Sequence, residues 1–360
     1  LVIALLLAGC GPRGGITLYP AAAEVGTVES VLIASSRERV EGQPVYTRGR
    51  SETLSFSRFE ISVPPQRSVG TVTFPDSYPP DPLTDFVTVG AHALRDEEAF
   101  VAAIDQKLAS DPDNGGTATV FVHGYNTNFA EGLYRHAQLQ YDYDSHAATV
   151  HFAWPSAATA TGYVYDQDSA LFSRQSLERT LAAMSRSNAT RFNVIAHSMG
   201  AFLTMDTLAI MARSGRYADF FDRVNAVLLL SPDIEVDVFR SQARPVLAEG
   251  VPIFVVVSTR DRALLISARI RGSVDRLGSI ASKEELGDVE VTVIDLSNVE
   301  AGGGLGHFAI ANSPELIGLL RGFREAGIDV LGSESQQGVI ESSVSLIQQG
   351  TEFIFSPFIR

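Results

Sequence analysis

Cysteine is almost missing from this chain. Of 360 residues only Cys10 is a cysteine, so no disulfide can close within one chain. Basic residues are scarce as well: Lys and Arg number 28 against 42 Asp and Glu, a formal charge of −14. A surface with that balance has no basic stripe to neutralise phosphates, which excludes nucleic acid as a partner. Tryptophan occurs once, at Trp154 in the run Trp154-Pro155-Ser156, where it either lines a cleft or, as single tryptophans do more often, fills core. Long apolar runs are absent from the start of the chain, where residues 1–7 are too short to span a bilayer as a mature helix. What the chain does have is 45% apolar residues over its length, enough to bury one large core or two modest ones.

The apolar run 1–7 is followed by Ala8, Gly9 and Cys10. That order matches the end of a secretory signal, and Leu7-Ala8-Gly9-Cys10 resembles a bacterial lipobox, cut before the cysteine and acylated on its thiol. The expected organisation is a signal remnant over 1–9, a lipidated tether over 10–29 rich in Gly and Ala, a folded domain over 30–330 and a tail over 331–360 that the pattern does not assign. Several acyl chains on Cys10 would anchor the protein on the extracytoplasmic side of an envelope membrane, since each buried methylene contributes about 0.8 kcal/mol.

Within the domain, 31–33 and the alternating segment 54–63 read as strands, the second stopped by Pro64-Pro65. A further strand is expected over 69–74, stopped by Asp76, Ser77 and the prolines at 79, 80 and 82, and another over 86–89. A helix is expected over 97–108, with Phe100, Val101, Ile104 and Leu108 on one face and Asp96, Glu97 and Glu98 at its positive end. From there strands at 118–122, 148–152, 192–195, 226–230, 253–257 and 289–294 alternate with helices that include 176–184, 201–211 and 314–323. Fully apolar strands alternating with helices predict a mostly parallel sheet covered on both faces.

The chemistry concentrates at five places. Residues 192–200 end in Ala196-His197-Ser198-Met199-Gly200, an apolar strand running into a helix through a serine among small residues. That is the form of a strained turn that lifts a nucleophile, Ser198, out of the backbone; the other role open to such a serine is a helix N-cap. Ala196 stands where a glycine is usual, a small steric departure. His123-Gly124-Tyr125-Asn126 follows an apolar strand, and the N–H groups of Tyr125 and Met199 are the expected oxyanion donors, each worth about 3 kcal/mol of transition-state stabilisation. His123 itself reads as a brace for the loop. Among 7 histidines, His307 alone lies downstream of Ser198, behind the flexible run Gly302-Gly303-Gly304-Leu305-Gly306, and it is the expected base. Two acids compete to orient it: Asp261, after the strand at 253–257, is favoured, and Asp233 in Ser231-Pro232-Asp233 is the alternative. His146, His151, Asp142 and Asp144 have no recognised ligand spacing, and the 111–115 segment reads as a polar turn rather than a calcium loop, so no metal and no cofactor are expected.

Taken together, Val120-Phe121-Val122-His123-Gly124-Tyr125-Asn126, Ala196-His197-Ser198-Met199-Gly200, Ser231-Pro232-Asp233-Ile234, Asp261 and Gly306-His307 resemble a family of bacterial alpha/beta hydrolases of unknown function in the lipase and esterase clan. The resemblance runs over most of 30–325. It implies an alpha/beta-hydrolase fold, with extra N-terminal strands here, and a Ser-His-Asp mechanism through an acyl-enzyme; it supplies no substrate. The expected activity is hydrolysis of a small-molecule or lipid carboxylic ester, although the same triad serves amides and thioesters. The competing expectation is an envelope lipoprotein that keeps the fold as a binding or scaffolding module, because fold does not dictate activity. The oligomeric state is not legible.

Overall fold

The computed structural model describes residues 13–41, 43, 45–259, 264, 276–280, 283–297, 317, 346–348 and 351–353. Three antiparallel strands, β1 (Thr27–Arg39), β2 (Tyr46–Val63) and β3 (Val87–Leu94), open the fold. Helix α1 (Glu97–Ser110) then leads into an alternation: β4 (Thr117–Val122), α2 (Phe129–Asp142), β5 (Ala148–Ala153), α3 (Tyr163–Ser185), β6 (Arg191–His197), α4 (Met199–Ser214). The short α5 (Ala218–Phe221), β7 (Val224–Leu230), α6 (Val236–Ala248), β8 (Ile253–Val257) and β9 (Thr292–Asp295) complete it. A separate antiparallel hairpin joins β10 (Leu346–Gln348) to β11 (Thr351–Phe353).

Among the described residues the main sheet has nine strands in the order β3-β2-β1-β5-β4-β6-β7-β8-β9. From β1 through β9 every neighbouring pair is parallel, and β2 and β3 pair antiparallel at the edge. Every residue of β4 and of β5 is buried, as a strand covered by helices on both faces requires. Two cores result. One runs the length of the sheet through Val120, Phe152, Val194, Leu229 and Val255 with α3 and α4; the other packs Val31, Phe59, Ile61 and Phe86 beneath Phe129, Leu133 and Tyr134 of α2. Among the described residues, no helix is long and apolar enough to cross a membrane.

The order β5-β4-β6 matters most for function. The chain leaves β4 toward one side of the sheet and leaves β6 toward the other, so the carboxyl ends of β4 and β6 border a crevice where the winding reverses. Open α/β sheets bind ligands at such a point.

Some expectations need correction. Residues 69–74 form no strand. Gly70 takes a positive φ of 80°, and the segment lies instead against α2, with Phe74 stacked on Tyr134 at 5.2 Å. An alternating pattern there serves packing on a helix, not a ladder. Helix α3 begins thirteen residues before the expected 176, because its first half buries small polar residues, Ser169 and Ser173 among them, that carry no apolar periodicity. Strand β9 starts at Thr292; Val289 and Val291 are buried but precede the ladder. Helices α2 and α6 fit the alternation of strands and helices, which gave neither of them bounds. The stretch expected to be a tether is partly folded body: the Tyr19 N–H donates to Thr88 O at 2.8 Å, Ala22 is fully buried, and β1 is under way by Thr27. The expected helix at 314–323 lies outside the described residues apart from Ile317.

Candidate active site

Ser198 sits between β6 and α4 with φ 53° and ψ −123°, a backbone conformation that L-residues other than glycine avoid at a cost of about 1–3 kcal/mol. The turn is held there by its surroundings. Its own N–H donates to Leu230 O at 3.0 Å, while its carbonyl accepts from Ala201 N–H at 3.0 Å and from Asp233 N–H at 3.2 Å. Ser198 makes no side-chain cap to α4, so the N-cap role does not account for it. Ala196, the departure from the glycine pattern, is fully buried and pairs with Val122 on one side and Leu229 on the other, so the core accommodates its methyl group.

The loop after β4 comes directly against this turn. A Cβ on Gly200 would fall within 3.0 Å of the carbonyl oxygens of both Val122 and His123, and one on Gly124 would sit 2.5 Å from His197 Nδ1 and 3.0 Å from Ser198 Cβ. Two glycines therefore let the serine turn and the Tyr125 loop share one space. Both turns that carry the expected oxyanion donors, Tyr125 and Met199, meet here.

His123 braces that loop. Its ring stacks on Trp154 with centroids 4.9 Å apart and planes 7° from parallel, and Trp154 Nε1 donates to His123 O at 2.7 Å. Burial, with the Arg37 cation as the lesser cause, lowers its pKa to about 3, so it is neutral at any working pH. Both ring nitrogens face carbonyl oxygens, Nδ1 that of Gly124 at 2.9 Å and Nε2 that of Trp154 at 3.0 Å, and Arg37 Nη2 lies 3.4 Å from Nε2. Trp154 is core and fully buried rather than cleft lining.

Asp233 is also near. It is buried at the end of β7, where Tyr163 donates its hydroxyl to Oδ2 at 2.7 Å and the fully buried Arg276 places Nε 3.3 Å from Oδ1. Tyr163 in turn meets Tyr125 edge-on at 5.3 Å. The structure thus brings together Ser198, Met199, Tyr125 and Asp233 at the carboxyl ends of β4, β6 and β7. Asp261, His307 and Cys10 lie outside the described residues.

Beside the loop opens a cavity of about 830 Å³, lined by Val72, Phe74, Phe121, Gly124, Ala158 and His197, with Arg13 and Glu131 at its polar edge. Arg13 belongs to the segment before the first strand. Its guanidinium donates to Asn126 O and Asn126 Oδ1, each at 2.7 Å, and to Ala158 O at 2.6 Å, and it pairs with Glu131. Among the described residues no group of three His, Cys, Asp or Glu could hold a metal ion; His146 instead pairs with Asp111 at 2.9 Å.

Asp166, in the first turn of α3, is a contributor that the sequence reading missed. Its fully buried carboxylate takes bonds from the loops after β4 and β5. Arg37 was missed too; it is the last of seven consecutive buried residues in β1, and the only sequence signal is a cation directly after the apolar and small run 31–36.

A family model described as "Alpha/beta hydrolase of unknown function (DUF900)" matches residues 96–324. Among solved structures, the monoclinic form of a Pyrobaculum calidifontis esterase is 12% identical over 85% of this chain and 88% of that chain, with a TM-score of 0.37. A hyperthermophilic esterase from the same organism is 13% identical over 84% of each chain, with a TM-score of 0.36. An inhibited esterase B from Lactobacillus rhamnosis is 10% identical over 85% of this chain and 91% of that chain, with a TM-score of 0.39. No curated protein matches.

Proposed function

This chain belongs to the alpha/beta hydrolases of unknown function grouped as DUF900, and on that premise we propose that it is a serine hydrolase acting on carboxylic esters. The observation that carries the reading is the strained backbone of Ser198 at the winding reversal, in contact with the glycine-bearing loop after β4. Strain of this kind persists only where the surrounding structure over-determines it.

In the proposed reaction Ser198 Oγ attacks the ester carbonyl while His307 takes its proton. The N–H groups of Tyr125 and Met199 hold the oxyanion, and His307 returns the proton to the departing alkoxide. Water, deprotonated by His307, then releases the acyl group. Asp261 orients the imidazole. That Asp233 is already bonded by Tyr163 and paired with Arg276 supports Asp261 over it, since a triad acid must spend an oxygen on the histidine. The mostly apolar cavity beside Gly124 suits an acyl chain.

A fluorophosphonate probe tests the reading. Labelling at Ser198 is expected in the parent protein and strong loss in His307→Ala. Asp261→Asn should lower kcat by about 10⁴-fold, the scale seen when a triad histidine loses its orienting acid, and Asp233→Asn by much less. A folded protein that takes no label and cleaves no ester of any chain length would leave the binding-module reading in its place.

The anchor is a separate proposal, that acylated Cys10 holds the protein on an envelope membrane. It gains interest from Arg13, three residues later and clamped to Asn126, because three residues span at most about 10 Å. The rim of the cavity would then face the lipid. Cys10→Ser is expected to move the protein from the membrane to the soluble fraction; unchanged fractionation and acylation would dismiss the anchor without touching the hydrolase.

A further inference from the structure

We propose that Asp166 is a positioning residue for the oxyanion loop, tying amides of the loops after β4 and β5 together so that the Tyr125 N–H is held toward Ser198. The proposal rests on the serine hydrolase reading above.

The geometry is specific. Asp166 lies in the first turn of α3, where a carboxylate ordinarily serves its own helix N-terminus. Here Oδ2 accepts the Asn126 N–H at 3.0 Å and the Ser156 hydroxyl at 2.6 Å, while Oδ1 accepts the Ala157 N–H at 2.5 Å. The Ser156 oxygen then accepts the Thr127 N–H at 3.1 Å and the Ala158 N–H at 3.2 Å. Two consecutive amides of the loop after β4, and two of the loop after β5, therefore end on one carboxylate and the hydroxyl bonded to it. Arg37 closes the network from beneath, donating to Thr127 O at 2.9 Å.

This network controls the residue that precedes it. Asn126 adopts a positive φ of 55°, a region asparagine enters more readily than most residues, and its N–H bond to Asp166 holds the turn in that form. The peptide joining Tyr125 to Asn126 is thereby fixed on one side. On the other, the Trp154 bond to His123 O fixes the turn where it leaves β4. Tyr125 stands between the two fixed points. Burial raises the pKa of Asp166, its bonds from Ser156, Ala157 and Asn126 oppose that rise, and none of the three comes from its own helix. Its bonds go instead to the loops after β4 and β5.

The test uses the full chain, a short-chain p-nitrophenyl ester, and a trifluoromethyl ketone whose serine adduct puts an oxyanion where the tetrahedral intermediate has one. Asp166→Ala is expected to lower kcat by about 10- to 30-fold with KM changed less than about threefold, because a loop shifted by a fraction of an ångström weakens the transition state more than the ground state. The ketone's inhibition constant should rise by the same factor as kcat/KM falls, and Asp166→Asn, which keeps one acceptor oxygen, should recover a substantial part of both. Where Asp166→Ala fails to fold, Ser156→Ala removes the relay to Thr127 and Ala158 and is expected to lower kcat about 3- to 10-fold with the same parallel loss of ketone binding. Rates within threefold of the parent in a folded Asp166→Ala, or a fall in kcat with ketone binding unchanged, would overturn the proposal. A parent protein that neither hydrolyses esters nor takes the serine probe overturns the hydrolase reading itself and this proposal with it, and is told apart because parent and variants are then alike.

Discussion

Ser198→Gly is expected to move activity and stability in opposite directions. Ester hydrolysis should fall by about 10⁴- to 10⁶-fold, the range found when the nucleophile of a serine triad is removed. Folding stability should rise by about 1 kcal/mol. The serine holds φ 53° and ψ −123°, a region that glycine enters freely, and releasing the strain is worth about 1–3 kcal/mol, against which the glycine loses about 0.5–1 kcal/mol more backbone entropy on folding. Ser198→Ala is the control: it loses the same hydroxyl and the same activity, but its Cβ keeps the strain, so its stability should match the parent. Equilibrium denaturation in urea and ester kinetics on the two variants separate the terms. A Ser198→Gly protein less stable than the alanine variant would mean the turn is not strained. Residual hydrolysis above about 1% of the parent rate would mean that another group is the nucleophile.

The serine turn was legible because everything that defines it is contiguous. An apolar strand, a serine among small residues and an apolar helix occupy 191–214 without a break, and a local pattern reports a local turn. The central strands were legible for a similar reason: β8 is an unbroken apolar run, and in β4 and β5 the buried Thr117, Thr119, Thr149 and His151 interrupt the apolar pattern without giving either strand a solvent face. Helix α2 was not read, although Asn128 and Glu131 form a capping box at its start. Its buried face includes Gln138, Gln140 and Asp142, which satisfy one another or reach across, as when Gln138 Nε2 donates to Asp142 Oδ2 at 2.5 Å and Gln140 Nε2 to Glu29 Oε2 at 2.5 Å. A helix that buries polar groups in pairs hides its own period.

The polar frame of the crevice was illegible for a different reason. Asp166 meets Asn126 across 40 residues and Ser156 across 10, and Arg37 meets Thr127 across 90. Hydrogen bonds between loops have no repeat that spacing could betray; they follow from strand order, which puts the ends of β1, β5 and β4 side by side. Only the topology turns three unrelated stretches of sequence into one framework.

Gly200→Ala should be the most damaging single methyl in the site. The added carbon would fall within 3.0 Å of two backbone oxygens, those of Val122 and His123, and neither can yield easily. Val122 is in the ladder, opposite Phe152 on one side and Ala196 on the other. The His123 carbonyl is held by Trp154 Nε1. With β4 pinned, the first turn of α4 has to move, and Met199, buried and adjacent, moves with it. Overpacking against unyielding neighbours costs about 1–3 kcal/mol, occasionally more, and a displacement of about 1 Å between nucleophile and oxyanion donors costs about 10²-fold in rate. The expected variant is destabilised by about 3 kcal/mol and at least about 10²-fold slower in kcat, with slowed labelling of Ser198 by the fluorophosphonate. Gly215→Ala, at the far end of the same helix, separates sterics from backbone freedom: its φ is 65° but the space is open, so about 1 kcal/mol of stability should be lost with kcat intact. Equal kinetics for Gly200→Ala and the parent would show that the loop after β4 and the serine turn are not held in register, and the assignment of their N–H groups to one oxyanion site would go with it.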